Sequence, residues 1–359
     1  MRPSANWMLA LVPVAIALDR VEGLAPPVLF FCAALAIIPL ARFIVRATGQ
    51  IAARSGDAIG GLLNATFGNA PELIIALVAV RAGLLDLVRA SIVGAILANL
   101  LLAGGVALLV AGFKTRDLEY NPGAARLYSS TMLLAVMALV VPSAFSRVFG
   151  GEEHLERVRS LNTWLALLLL ATYALYLWFS LRTHPHLFKS VSGNGGHGHE
   201  ATWSVGRALG VLLGSSVLAA WMSEILVGAA EGTGEALGMS SVFIGLVVVA
   251  VVGGAAESLS AIGAARSGKL DLTTSIIFGS CIQIALFVGP LLVLLSRFVG
   301  PSELYLSFAR PEVGALFLAV LLGTIVLGDG KGNWFKGVQL LVVYAAIAAM
   351  FYFIPDVPG

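Results

Sequence analysis

Apolar stretches of about 20 residues, each long enough to cross a hydrocarbon layer of about 30 Å, recur from one end of this chain to the other. About eleven such runs can be marked, the first at Trp7–Leu18 and the last at Phe335–Phe353, with short polar joints between them. That repetition excludes a soluble globular domain. Composition agrees: 58% of the 359 residues are hydrophobic and 12% are charged, and the mean hydropathy is +0.94. Within the runs the apolar spacing is helical, without the short alternating segments of a membrane barrel. The chain therefore reads as an all-α polytopic membrane protein with about eleven transmembrane helices and the lipid bilayer as its solvent.

The first run imitates a cleavable signal peptide, since Arg2 precedes an apolar stretch that ends near Ala15-Ile16-Ala17. It is read here as an extra N-terminal helix within residues 1–24. Cys32 and Cys281 each stand alone inside a predicted span, which gives neither a disulfide framework nor a metal site. A net charge of +2 gives no reason to expect a nucleic-acid partner. The Lys and Arg residues of the joints are skewed to one side, Arg46, Lys114, Arg266 and Lys336 among them. That skew predicts a cytoplasmic N-terminus in the inner membrane of a prokaryote.

The chain also repeats itself. GGLLNATFGNAPELIIALVAVRAGLLDL lies over GLVVVAVVGGAAESLSAIGAARSGKLDL without a gap, at an offset of about 185 positions. Thr48 meets Thr233, Glu72 meets Glu257, Arg81 meets Arg266, and Leu85-Asp86-Leu87 meets Leu270-Asp271-Leu272. With the expected helix count, corresponding helices lie an odd number of spans apart and cross in opposite directions. Two inverted-topology five-helix repeats result, residues 25–181 and 205–359, joined by a His- and Gly-rich cytoplasmic linker at 182–204. Duplication for packing alone would conserve small residues, but it supplies no reason to keep a carboxylate in both copies.

The carboxylates mark a site. Pro71 cannot donate to the carbonyl of Phe67, so the helix is expected to open just before Glu72 and free a backbone oxygen. In the second copy Gly253-Gly254 provides the weak point. Asn69 lies three residues before Glu72 and shares its helical face. Carboxylate oxygens from Glu72 and Glu257, the Asn69 amide oxygen and main-chain carbonyls make a hard oxygen set. Such a set suits Ca²⁺, Mg²⁺ or Mn²⁺ rather than zinc or copper. Two buried anions balance one divalent cation, and without it they call for protons, because uncompensated burial of charge costs several kcal/mol. The site can thus hold one M²⁺ or two H⁺, never both, which couples exchange and prevents leak.

At this point the residues resemble a known family. GGLLNATFGNAPELI with SIVGAILANLLL, and FIGLVVVAVVGGAAES with SIIFGSCIQIALFVGPLLVL, are similar to the two signature repeats of the cation/proton exchangers of the calcium/cation antiporter superfamily. The resemblance covers nearly the whole chain. It implies eleven helices, Ca²⁺/H⁺ exchange, and a shared cation and proton site at Glu72 and Glu257, with Asn69, Ser280 and Gln283 as further site positions. Three departures stand out. GGAAES replaces the usual GNAAEH, placing Gly254 at an asparagine and Ser258 at a histidine; Gly94-Ala95-Ile96-Leu97 replaces GSIL; and RTHPHLFKSVSGNGGHGHE stands where an acidic segment is often found.

Lesser signals complete the reading. Glu224 and Glu231 are seven residues apart on nearly one helical face and, with Ser258, could line an access path; Glu224 is expected to be the deeper of the two. Arg46 takes the position of Glu231 in the first repeat, so the two paths should differ in charge. Arg81 with Asp86, and Arg266 with Asp271, read as ion pairs or caps of the loops after the site helices. His184, His186, His197 and His199 fit a flexible linker better than a sensor. No hydrolytic constellation occurs at helical spacing, so no enzyme and no cofactor is expected. A channel would need a continuous polar pore. The alternative within the superfamily is a sodium-coupled calcium exchanger. Ala95 and the apolar run Val247 to Val252 argue against it, while Ser258 and Ser260 keep it open.

Overall fold

The computed structural model of the protein describes residues 5–55, 60, 62–63, 66–149, 154–188 and 202–354. Because a bilayer interior offers no partner to a free backbone N–H or C=O, the apolar runs must satisfy their own hydrogen bonds, and they do so as helices. In chain order these are α1 (Leu11–Leu18), α2 (Pro26–Ala52), α3 (Ala70–Arg81), α4 (Leu85–Lys114), α5 (Pro122–Phe149), α6 (Leu155–Thr183) and α7 (Val205–Gly228). They continue as α8 (Ala230–Leu237), α9 (Ser241–Gly253), α10 (Ala255–Arg266), α11 (Leu270–Val299), α12 (Arg310–Leu327) and α13 (Trp334–Phe353). Eight of them, α2, α4 to α7 and α11 to α13, are long and apolar enough to span a membrane singly. The other three expected crossings rest on the short apolar helix Trp7–Leu18 and on two interrupted segments, one entering α3 and one formed by α9 and α10.

The repeat holds element by element around the two glutamates. α3 begins at Ala70 and ends at Arg81; α10 begins at Ala255 and ends at Arg266, the positions that the sequence overlay pairs. α4 and α11 correspond in the same way, from Leu85 to Leu270 and from Lys114 to Val299. Each site helix also stops in the same manner, on a glycine in the left-handed region, Gly83 at φ 80° and Gly268 at φ 75°. Even a wide π-helical turn recurs, at Ala98–Ala103 in α4 and Ile284–Val288 in α11.

The two copies run in opposite directions. The loop after α3 lies against the end of α11, where a Cβ on Gly83 would stand 3.2 Å from Pro301 and one on Gly300 would stand 2.9 Å from Val80. At the other end, the start of α11 reaches the segment after α4, where the backbone N–H of Asn121 donates to Asp271 Oδ1 at 2.7 Å. α4 and α11 are therefore antiparallel neighbours. They are also the centre of the molecule, with 83% and 78% of their apolar windows buried, against 17% for α6 and 22% for α13. Outward-facing Trp164 and Leu175 on α6 and Ile325 on α12 are what contact with lipid tails requires.

Loops fix the remaining ends. On the side of Asn121, Leu118 and Glu119 pair antiparallel with Gly332 and Lys331 in a two-stranded clip. On the opposite side, the segment from Leu304 to Phe308 is held by Ser143, Asn162 and Ser296 through backbone N–H donors at 2.8–2.9 Å. Of the linker expected at 182–204, residues 189–201, with His197 and His199, lie outside the described residues. His184 stacks on Phe179 with centroids 4.3 Å apart, and the His186 ring lies tilted beside it at 5.7 Å. Trp203 closes the linker between the guanidinium groups of Arg46 and Arg207, at 4.8 and 5.0 Å. Arg46 is therefore a stacking partner for the linker.

Candidate cation site

The two interruptions place the candidate site. With no N–H at Pro71, the helix cannot run through, and α3 starts afresh at Ala70 behind Asn69, whose φ and ψ are −98° and 32°. In the second copy the break falls at Gly254, at φ −79° and ψ 9°, with α9 ending at Gly253 and α10 starting at Ala255. Glu72 and Glu257 are accordingly each the third residue of a half-helix, in the turn where the helix dipole favours negative charge.

Both glutamates are buried, 9% and 8% exposed. Among the described residues neither carboxylate has a hydrogen-bond partner beyond its own residue. Glu72 leans on the opposite break, since a Cβ on Gly253 would come within 3.0 Å of its Cγ. It is close enough for its charge to bear on Glu257. A bridge of neutral polar groups lies between the two breaks. Ser280 Oγ donates to Asn69 Oδ1 at 2.8 Å, Asn69 Nδ2 donates to the Ser280 carbonyl at 3.3 Å, and Asn99 Nδ2 donates to Ser280 Oγ at 3.0 Å. Ser258 Oγ donates to Asn99 Oδ1 at 3.5 Å, the long end of the range.

Of the residues singled out from the sequence, Glu72, Glu257, Asn69, Ser258 and Ser280 gather around the two breaks. Gln283 reaches the broken segment and donates to the Thr66 carbonyl at 3.2 Å. Phe67 turns its ring outward, 39% exposed, so only its carbonyl, which Pro71 cannot cap, points to a role. Asn99 was missed. Its signal was present, an amide in the middle of the apolar run SIVGAILANLLL, where polar side chains are costly.

Of the outlying acids, Glu224 differs from expectation. Glu224 is not deep: its side chain is 58% exposed and pairs with Arg81 at 3.6 Å, because α7 ends beside the end of α3. Glu231 lines a broad cleft with Glu235, Ser240 and Tyr352. The loop pairs are also rearranged. Asp86 pairs with Arg89 at 2.5 Å, and Asp271 accepts from the Asn121 N–H. A small cavity adjoins Glu72 and is lined mainly by Ile75, Ile92, Ala95, Val249 and Ile284. Among the described residues no three His, Cys, Asp or Glu side chains converge. The donors at hand are carboxylate, amide, hydroxyl and backbone oxygens, the chemistry of hard cations.

Known proteins share this architecture. The family model described as sodium/calcium exchanger protein matches residues 25–182 and 207–353. The Ca²⁺/H⁺ antiporter of Aphanothece halophytica is 38% identical over 342 residues, covering 92% of this chain and 91% of that protein. A Ca²⁺/H⁺ antiporter of Bacillus subtilis is 39% identical over 327 residues, covering 90% and 92%. Among solved structures, native YfkE superposes with a TM-score of 0.84 at 35% identity, covering 98% of this chain and 100% of that one. The H⁺/Ca²⁺ exchanger CAX shares the fold with a TM-score of 0.72 at 17% identity, covering 97% and 91%. The inverted pair of broken helices, each opening onto a buried glutamate, and these likenesses lead to one conclusion: the chain is an integral membrane protein of the sodium/calcium exchanger family.

Proposed function

We propose that the protein is a secondary antiporter that exchanges Ca²⁺ for protons through one site shared by Glu72 and Glu257. The observation that carries this reading is the pair of buried carboxylates at the starts of two half-helices, with no hydrogen-bond partner beyond their own residues among the described residues. An anion left so is expensive, and a divalent cation or two protons removes the cost. Asn69 and Ser280 add neutral oxygens, the uncapped Phe67 carbonyl adds another, and Gln283 steadies the adjoining Thr66 carbonyl. Glu224, Glu231 and Ser258 belong to the approaches, with Arg81 moderating the charge at the Glu224 end.

Both loaded forms are nearly neutral, so both can pass through a state closed at either face, whereas the empty dianion cannot. The Ca²⁺/H⁺ antiporter activity named for relatives at 38% and 39% identity supports the choice of Ca²⁺ and protons. The reading places the protein in the inner membrane of a prokaryote, with the N-terminus and the 182–204 linker in the cytoplasm. Proteoliposomes with an acidic interior test it. External ⁴⁵Ca²⁺ should accumulate, and collapsing the pH gradient should abolish uptake. Uptake that follows an imposed Na⁺ gradient and ignores pH would replace this reading with sodium coupling.

A further inference from the structure

We propose that Arg42, Arg46 and Arg207 form a binding site for the headgroup of an anionic phospholipid, at the end of the molecule where the linker enters α7. Arg42 and Arg46 stand one turn apart on α2, and Arg207 lies in the first turn of α7, the helix packed beside it. All three are exposed. Among the described residues no carboxylate pairs with any of them. The cluster is not a product of the repeat, because the positions that pair with Arg42 and Arg46 at the opposite face hold Val227 and Glu231.

Two of the cations are held in place. The guanidinium groups of Arg46 and Arg207 both stack on Trp203, which is 7% exposed, at 4.8 and 5.0 Å from its ring centroid. Gln50 Oε1 fixes that residue in turn, accepting from the Trp203 N–H at 2.9 Å and from the Thr202 hydroxyl at 3.3 Å. A guanidinium that stacks on an indole uses its face and keeps its N–H donors, whose fork matches phosphate oxygens. The surroundings of Arg42 are lipid. Leu35 and Phe31, seven and eleven residues before it, continue the same outward face of α2 and are 44% and 39% exposed. Arg42 therefore stands a turn nearer the bilayer centre than Arg46, where an unpaired charge is costly. Its long side chain reaches back toward the interface, and a phosphate there balances it. That depth favours a lipid over a soluble anion, since a lipid brings its phosphate from the membrane side while its acyl chains lie against Leu35.

Lipid binding is measured without transport, so its outcome does not depend on the exchange reading. Purified full-length protein in detergent is titrated with phosphatidylglycerol and with phosphatidylcholine, and bound lipid is counted by native mass spectrometry. Wild type should prefer phosphatidylglycerol by about tenfold or more, and the preference should fall as salt is raised. Combining Arg42→Gln, Arg46→Gln and Arg207→Gln should leave a preference of less than about threefold. Combining Lys114→Gln, Arg116→Gln and Arg126→Gln removes the same charge elsewhere on that face, and should stay within about twofold of wild type. If the first triple variant does not fold, Arg42→Gln alone, at an exposed position, should weaken phosphatidylglycerol binding by about threefold or more. Equal losses in the two triple variants would reduce the effect to the general charge of that face and overturn the site. An unchanged Arg42→Gln, or a wild type without preference, would do the same. Glycerol 3-phosphate that binds as tightly as the lipid would assign the arginines to a soluble anion and likewise overturn it.

Discussion

Glu72 and Glu257 begin their half-helices with carboxylate oxygens shut away from bulk water, so each contributes charge that must be balanced locally. Replacing either by Gln keeps the shape and removes one negative charge, leaving a single carboxylate opposite M²⁺. Ca²⁺ affinity should fall by two or more orders of magnitude in both variants, since about 1.4 kcal/mol is already a factor of ten. In wild type the apparent affinity should weaken as the pH falls if, as proposed, protons and metal compete for the same oxygens. Calorimetric titrations between about pH 6 and pH 9 check both statements, and pH-independent binding or full exchange by either Gln variant would contradict them. A second residue gives a pH effect away from the membrane. Burial raises the Asp329 carboxyl, but Lys336 Nζ at 2.7 Å and the Lys331 N–H at 3.0 Å outweigh it and hold the group below its ordinary value. Its contribution is therefore present above the unfolded carboxylate range and disappears as pH falls through the lower folded value. With Asp329 half exposed, Asp329→Asn should cost under about 1 kcal/mol at neutral pH, and in thermal unfolding the difference from wild type should shrink as the pH falls through and below the ordinary carboxylate range.

At the scale of elements, the repeat gives two helix crossings that are alike in sequence and unlike in space. Gly94 of α4 passes so close to α9 that a Cβ there would stand 2.0 Å from the Leu246 carbonyl oxygen, which is main chain and cannot swing aside. Its repeat partner, Gly279 of α11, has no described atom within 4 Å of the same position. Gly94→Ala should destabilise the protein by about 1–3 kcal/mol or more. Gly279→Ala should be neutral or slightly stabilising, by up to about 1 kcal/mol from helix propensity. Thermal melts of the two variants in detergent distinguish them, and equal losses would show that the crossings are equivalent. The Arg81–Glu224 pair between the ends of α3 and α7 belongs to the opposite case, because both side chains are more than half exposed and such pairs contribute little.

For the whole molecule, the antiparallel placement of α4 and α11 sets two breaks facing each other from opposite sides, so a single site can be approached from either face. On the proposed exchange reading, transport is expected to depend on the helices and not on the connection between the halves. Deleting Gly193 to His199, which lie outside the described residues, should leave Ca²⁺ uptake in proteoliposomes largely intact, because a Gly-rich segment has little with which to pack. Loss of uptake in a folded deletion protein would assign the linker a role in transport. The sequence by itself determined the spans, the repeat with its offset, the weak points at Pro71 and Gly254, and the two glutamates. Each of these is written in local pattern: run length, proline and glycine chemistry, and a carboxylate where apolar residues should stand. Only the tertiary structure decided that Asn99 meets Ser280 near the second break, that Glu224 sits exposed against Arg81, and that Gly94 and Gly279 differ. Asn99 meets Ser280 across 181 residues and Asn69 meets it across 211, and nothing in the neighbourhood of either asparagine encodes such a partner. Those contacts exist because two inverted copies close on one another, and the asymmetry between them is a property of the packed pair.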